Sequence, residues 1–207
     1  MIYSNDEEVP EVDEEESGHV ICVEADEEPL SLLGLCGEIN EDSLQELSLG
    51  LVAANKNKIL NIGPEDFEDV EDLELFISSN GGSVGDMFAI YDLMTVVKRN
   101  RDISTCGFGK VSSAAVLLLA AGTKGKRFIS PNTRIMLHRC SATEHGPVPN
   151  LKTVLEEAKK VEEMMIQALA ANSNLSVKEV YKIMSRNTDE YFSAEQTLEM
   201  GLADKII

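Results

Sequence analysis

The sequence predicts an α/β domain built on a largely parallel sheet. Short apolar runs alternate with amphipathic stretches of helical spacing from His19 onward, and glycine, asparagine and proline punctuate the joins. The 207 residues, 43% of them hydrophobic, also suffice for one domain with a real core.

Taken in order, Val20 to Val23 and Leu32 to Leu35 predict strands. Ser43 to Ala54 predicts a helix, because Leu44, Leu47, Leu51 and Val52 recur at helical spacing. Glu65 to Glu71 is an acidic connector ahead of an apolar strand, Leu73 to Ile77. Ser78 to Ser83 then predicts a turn. It opens a helix with Met87, Ile90, Tyr91, Met94 and Val97 on one side.

A strand from Ile103 to Cys106 leads through Gly107 and Gly109 into a small-residue helix, Ser113 to Ala121, closed by Gly122. Arg127 to Ser130 and Arg134 to Leu137 predict two further strands around the Pro131-Asn132 turn. Leu151 to Ala171 reads as a long charged amphipathic helix, and Val177 to Met184 and Ala194 to Met200 as two shorter ones.

Charge divides the chain. Residues 1–28 hold twelve of the 37 acidic side chains and no Lys or Arg, so taking those twelve from the net −19 leaves −7 for the rest. Residues 1–18 are expected to form a flexible, solvated acidic arm, with 19–207 as the folded domain. An acidic chain without a Lys/Arg stripe is a poor partner for nucleic acid. The longest apolar run, Ala114 to Ala121, has eight residues, short of the roughly 18–20 that a membrane span needs. No basic, apolar secretory leader opens the sequence, so a cytoplasmic location is expected. Cys22, Cys36, Cys106 and Cys140 are scattered without a Cys-x-x-Cys pair and only three histidines occur, which supports neither a metal site nor a disulfide framework.

Three features carry potential chemistry. Ser113 follows a strand and a glycine-containing turn and opens a helix, where free N–H groups stabilise an oxyanion. Read alone it is most simply a helix cap, and Ser112 would cap as well. His138 ends the apolar strand Arg134-Ile135-Met136-Leu137, where α/β sheets present functional side chains, so it is the best-placed of the three histidines to act as a base. Asn80-Gly81-Gly82, between a strand and a helix, permits positive φ and an N–H aimed at a ligand. No Gly-Lys-Ser/Thr follows it, so it is not a phosphate loop.

Together these segments resemble the ClpP family of caseinolytic serine peptidases, from about Leu35 to Ile207. The resemblance rests on Ile77-Ser78-Ser79-Asn80-Gly81-Gly82-Ser83-Val84 with Ile90-Tyr91-Asp92, and on Gly109-Lys110-Val111-Ser112-Ser113-Ala114-Ala115 with Gly125-Lys126-Arg127-Phe128. Pro131-Asn132, Arg134, Ile135-Met136 and His138 extend it, as do Ser193-Ala194-Glu195 and Gly201-Leu202-Ala203-Asp204.

The resemblance implies a ClpP/crotonase-like spiral of ββα units with a protruding handle helix at about 146–171. It implies a serine endopeptidase with Ser113 as nucleophile, His138 as general base, and the N–H groups of Gly82 and Ala114 as oxyanion hole. It further implies unfolded polypeptide substrates, two stacked heptameric rings and an AAA+ unfoldase that uses the ATP, with no cofactor on this chain. A catalytically weak structural subunit of a mixed ring, or a dedicated maturation protease, are the alternatives. A crotonase-like acyl-CoA enzyme is disfavoured, because that chemistry does not need the Ser113 and His138 pair.

The sequence departs from the family pattern at the third triad member. Asn187-Thr188 stands where the family has aspartate and threonine, and the stretch before Ser193 is shorter. Asn187 keeps the place by its spacing from His138; Asp189, two residues on, is the alternative and offers a charge. Arg139-Cys140 and Asn80 are further departures, beside the expected catalytic residues.

Overall fold

A parallel sheet in the order β1 (Leu32–Ile39), β2 (Leu73–Gly82), β3 (Ile103–Ser112), β4 (Arg127–Ile129), β7 (Lys205–Ile206) forms the body of the protein, with β5 (Arg134–Leu137) and, beyond it, β6 (Glu190–Phe192) branching from β3. The computed structural model describes residues 31–55, 71–141, 143 and 145–207. The expected arm, the strand Val20 to Val23, His19, Cys22 and nearly all of the acidic connector lie outside the described residues.

The elements are β1 (Leu32–Ile39), α1 (Glu41–Ala54), β2 (Leu73–Gly82), α2 (Val84–Val97), β3 (Ile103–Ser112), α3 (Ala114–Ala120), β4 (Arg127–Ile129), β5 (Arg134–Leu137), α4 (Val148–Ala171), α5 (Val177–Met184), β6 (Glu190–Phe192), α6 (Ala194–Glu199) and β7 (Lys205–Ile206). Alternation of strand and helix therefore yields the expected α/β architecture. Side chains cap the helix starts: Asn40 and Ser43 close a capping box on α1, which begins two residues before the expected Ser43, and Ser83 accepts from the Asp86 N–H at the start of α2.

The core lies between the sheet and the helices that return across it. Leu33, Leu35, Leu75 and Ile77 from the strands meet Leu47, Leu51, Met87, Ile90 and Met94 from α1 and α2. All seven residues of α3 are buried, as an all-apolar helix requires. It runs through the centre, packed against β2, β3, α2 and α4.

Three strands run further than their apolar runs suggest, and the first of them, β1, passes the expected Leu35 to end at Ile39, paired along its length to β2. β2 continues through the expected Ser78–Ser83 turn to Gly82, because its backbone is paired to Ile39 of β1. β3 continues through Gly107 and Gly109, because its first half pairs β4 and its second half, Lys110 to Ser112, pairs β5. Its register against β2 jumps between Ile77 and Ser79, and Gly109, at φ +63°, lies in the β3 segment spanned by that jump. The bend carries β3 out of the main sheet into a small β5/β6 extension, next to which Ser113 stands.

α4 begins three residues before the expected Leu151, after Pro147 at its cap. Its only buried residues are Met165, Ile166 and Leu169, so the preceding four turns stand clear of the core. The C-terminus is tied back by Arg127. That buried guanidinium grips the Asp204 carboxylate at 2.6 and 2.8 Å, placing β7 against β4.

Candidate active site

Ser113 is the one non-glycine residue with positive φ among the described residues, at φ +55°, ψ −125°. An L-residue held there is strained by roughly 1–3 kcal/mol, and its neighbours must over-determine it. They do so from two sides. Its N–H donates to the Met136 carbonyl at 2.7 Å, extending the β3–β5 ladder by one bond, and α3 begins at the next residue.

The result is a sharp strand-to-helix turn that lifts the Ser113 side chain clear of the backbone. No side-chain cap bond is made by Ser113, so capping does not account for it. The first N–H groups of α3, those of Ala114 and Ala115, have no acceptor within their own helix.

The β3–β5 pairing also delivers the imidazole. Ser112 faces Met136 in register, so His138 comes two residues beyond that contact, at the end of β5. Its Nε2 lies 2.8 Å from Ser113 Oγ, a hydrogen bond between two side chains 25 residues apart in sequence. His145 is exposed in the loop before α4 and takes no part.

At the other ring nitrogen the structure favours the alternative. Asp189 Oδ1 lies 3.8 Å from His138 Nδ1, whereas Asn187 is exposed and makes no hydrogen bond to the ring. Spacing from His138 and the following Thr188 favour Asn187 in the sequence, whereas in the structure Asp189 is the residue that approaches the ring. β6 pairs antiparallel with β5, Leu137 facing Glu190, and one further step sets His138 opposite Asp189. The same count sets Asn187 beyond the ring. Arg186 and Glu190 form an ion pair at 2.5 Å that closes the turn between them and holds this segment in place.

Gly82 and Gly81 line the opposite wall. A side chain at Gly82 would overlap the carbonyl of Ile39 and stand 2.8 Å from its nitrogen. Gly81, at φ +89°, approaches the serine turn itself: a Cβ there would be 2.6 Å from the Ser112 carbonyl, 2.7 Å from Ser113 Cβ and 3.0 Å from the Ala114 nitrogen. The motif marks this glycine as one that permits positive φ and an N–H aimed at a ligand, not as a neighbour of Ser113. Its contact with the serine turn crosses from β2 to β3, which no local pattern reports.

These groups enclose a cleft of about 400 Å³ lined by Glu38, Asn80, Gly81, Gly82, Val84, Ser113, His138, Cys140 and Ser141. Burial first, and then the Glu162 carboxylate, pushes the Cys140 thiol up from its ordinary value, so it sits in the cleft as a neutral group. Arg139 reaches Glu162 of α4 at 3.7 Å, tying the segment after the histidine to the long helix. Among the described residues no group of three or more His, Cys, Asp or Glu side chains is arranged to hold a metal ion. No helix among them is long and apolar enough to cross a membrane.

The model of the Clp protease family matches residues 51–207. The chain belongs to the Clp protease family. Relatives include the proteolytic subunit of the ATP-dependent Clp protease of Carsonella ruddii, 34% identical over 142 residues, covering 69% of this chain and 71% of that protein. Proteolytic subunit 2 from Thermobifida fusca is 33% identical over 150 residues, covering 72% and 71%. Proteolytic subunit 1 from Tropheryma whipplei is 38% identical over 143 residues, covering 68% and 67%. Within this Clp protease chain the match spans Gly81, Gly82, Ser113, His138 and Asp189, and leaves residues 1–50 outside it.

Proposed function

We propose that the protein is a serine endopeptidase, the proteolytic subunit of a Clp protease, with Ser113 as nucleophile and His138 as general base. The reading is carried by the 2.8 Å contact between Ser113 Oγ and His138 Nε2 at a strained strand-to-helix turn. Attack of Oγ on a peptide carbonyl forms the C–O bond while its proton passes to Nε2. The resulting oxyanion lies toward the N–H groups of Gly82 and Ala114, which stabilise it. Collapse breaks the C–N bond, and Nε2 gives its proton to the leaving amine. Water then yields a proton to Nε2, attacks the acyl ester, and Ser113 recovers its hydrogen as the new carboxyl departs.

Asp189 is the third member, its carboxylate stabilising the imidazolium formed in each step. None of these steps uses a cofactor; ATP is consumed by a partner unfoldase that feeds extended chains to the cleft. The exposed part of α4 serves as a handle through which two seven-membered rings stack around a chamber, in the cytoplasm.

A fluorophosphonate probe tests the reading on the assembled protein. Labelling that disappears in Ser113→Ala supports it. Absence of labelling favours the second reading, a structural subunit of a mixed ring, to which the 3.8 Å gap between His138 and Asp189 lends weight because it exceeds a hydrogen bond. Digestion of several unrelated unfolded proteins separates general cleavage from a maturation protease with one dedicated substrate.

A further inference from the structure

The geometry points to Glu38 as a specificity-determining residue that draws a cationic side chain of the substrate, Lys or Arg, to the cleft beside the scissile bond. This rests on the peptidase reading and adds a substrate preference to it. Along β1, Leu35 and Ile39 are buried while Cys36 and Glu38 face the other way, as strand alternation requires. The β1–β2 register shifts between Gly37 and Glu38, passing over Asn80, so that Glu38 stands opposite Gly81. Such an irregularity re-aims a side chain. Here the step over Asn80 sets Glu38 beside the glycine that packs against Ser113.

Glu38 lines the cleft with Ser113 and His138, and the lining contains no Lys or Arg. The carboxylate is exposed and makes no hydrogen bond or ion pair with the described residues. An unneutralised charge in a walled cleft focuses its field on whatever enters. A Lys or Arg of an extended peptide lying over Gly81 and Gly82 supplies the missing counter-charge, and a substrate Glu or Asp is repelled.

The test uses the full chain in its assembled form and a set of fluorogenic peptides with Lys, Gln or Glu at each position flanking the cleaved bond. The ratio of kcat/KM for Lys over Glu peptides is read within each protein, so any general change in activity cancels. The expected ratio at the responsive position is about five- to tenfold at low salt, contracting toward one near molar salt. In Glu38→Gln it should fall close to one, and in Glu38→Lys it should invert. The overall charge of −19 also favours cationic peptides, but it changes by one unit in Glu38→Gln, so a ratio that persists in that variant overturns the inference. Cleavage of the Gln peptides without any charge preference overturns the inference alone. Failure of the assembled wild type to cleave any peptide or take the fluorophosphonate overturns the peptidase reading and the inference together.

Discussion

His138 Nδ1 stands 3.8 Å from a carboxylate oxygen of Asp189, and the two fall where the β5–β6 ladder places facing residues one step beyond Leu137 and Glu190. The last pair of that antiparallel ladder, Leu137 with Glu190, brings the residues that adjoin it close together.

That relationship sets the first prediction. Asp189→Ala should lower kcat for peptide cleavage by about 10³–10⁴-fold with little change in KM, since the carboxylate acts on charge formed during reaction. Asn187→Ala should stay within about threefold of wild type. Steady-state kinetics on one fluorogenic peptide would compare them, and a larger loss in Asn187→Ala would return the role to Asn187.

Gly81→Ala combines a positive φ with a collision against the serine turn, where the added Cβ meets Ser112, Ser113 and Ala114 at 2.6–3.0 Å. A displacement of the nucleophile by about 1 Å costs on the order of 100-fold in rate. Gly125→Ala supplies the contrast: its φ is +88°, but nothing lies within 4 Å of an added Cβ. Both variants should lose about 1 kcal/mol or more of stability to backbone strain, and only Gly81→Ala should also lose activity. Thermal unfolding beside a peptidase assay would reveal equal activities if the packing argument is wrong.

The Arg127 hydrogen bonds outweigh burial, which acts upward, and hold the Asp204 carboxyl below its ordinary range. A carboxylate depressed by folding adds stability that is present above its unfolded value and lost as pH falls through its folded value. Asp204→Asn leaves the Arg127 guanidinium, 3% exposed, without its counter-charge, at a cost of about 3 kcal/mol at pH 7. Denaturant melts across pH should show that difference shrink below the ordinary carboxylate range. A gap that widened on acidification would contradict the assignment.

Burial, followed by the Glu74 charge, pushes the Cys106 thiol up to about 11, while Cys36 is exposed. Alkylation requires the thiolate, which at pH 8 is about one part in a thousand for such a group. Iodoacetamide mapping by mass should find Cys36 modified well before Cys106, with Cys106 gaining rate steeply up to pH 11. The reverse order would show that the wall around Cys106 opens in solution.

Much of the fold was legible because its signals are local. The 3.6-residue spacing in Met87, Ile90 and Met94 and the closure of α5 at Met184 appear in the structure where the sequence puts them. β6 and β7 were not, since strands of three and two residues leave no period to read. Ends of β2 and β3 were also obscured, because glycines that mark a turn in isolation become strand residues once neighbours supply their hydrogen bonds.

The sequence by itself determined the class of fold, the serine opening an apolar helix, the histidine ending a strand, and the family resemblance that joins them. Each depends on residue type and short spacing, which the chain carries wherever it goes. Only the tertiary structure decided that Asp189 faces His138, that Gly81 braces the serine turn, and that Glu38 enters the cleft. Those follow from register between strands distant in sequence, which the pattern of buried faces along whole strands sets and no single residue's preference does.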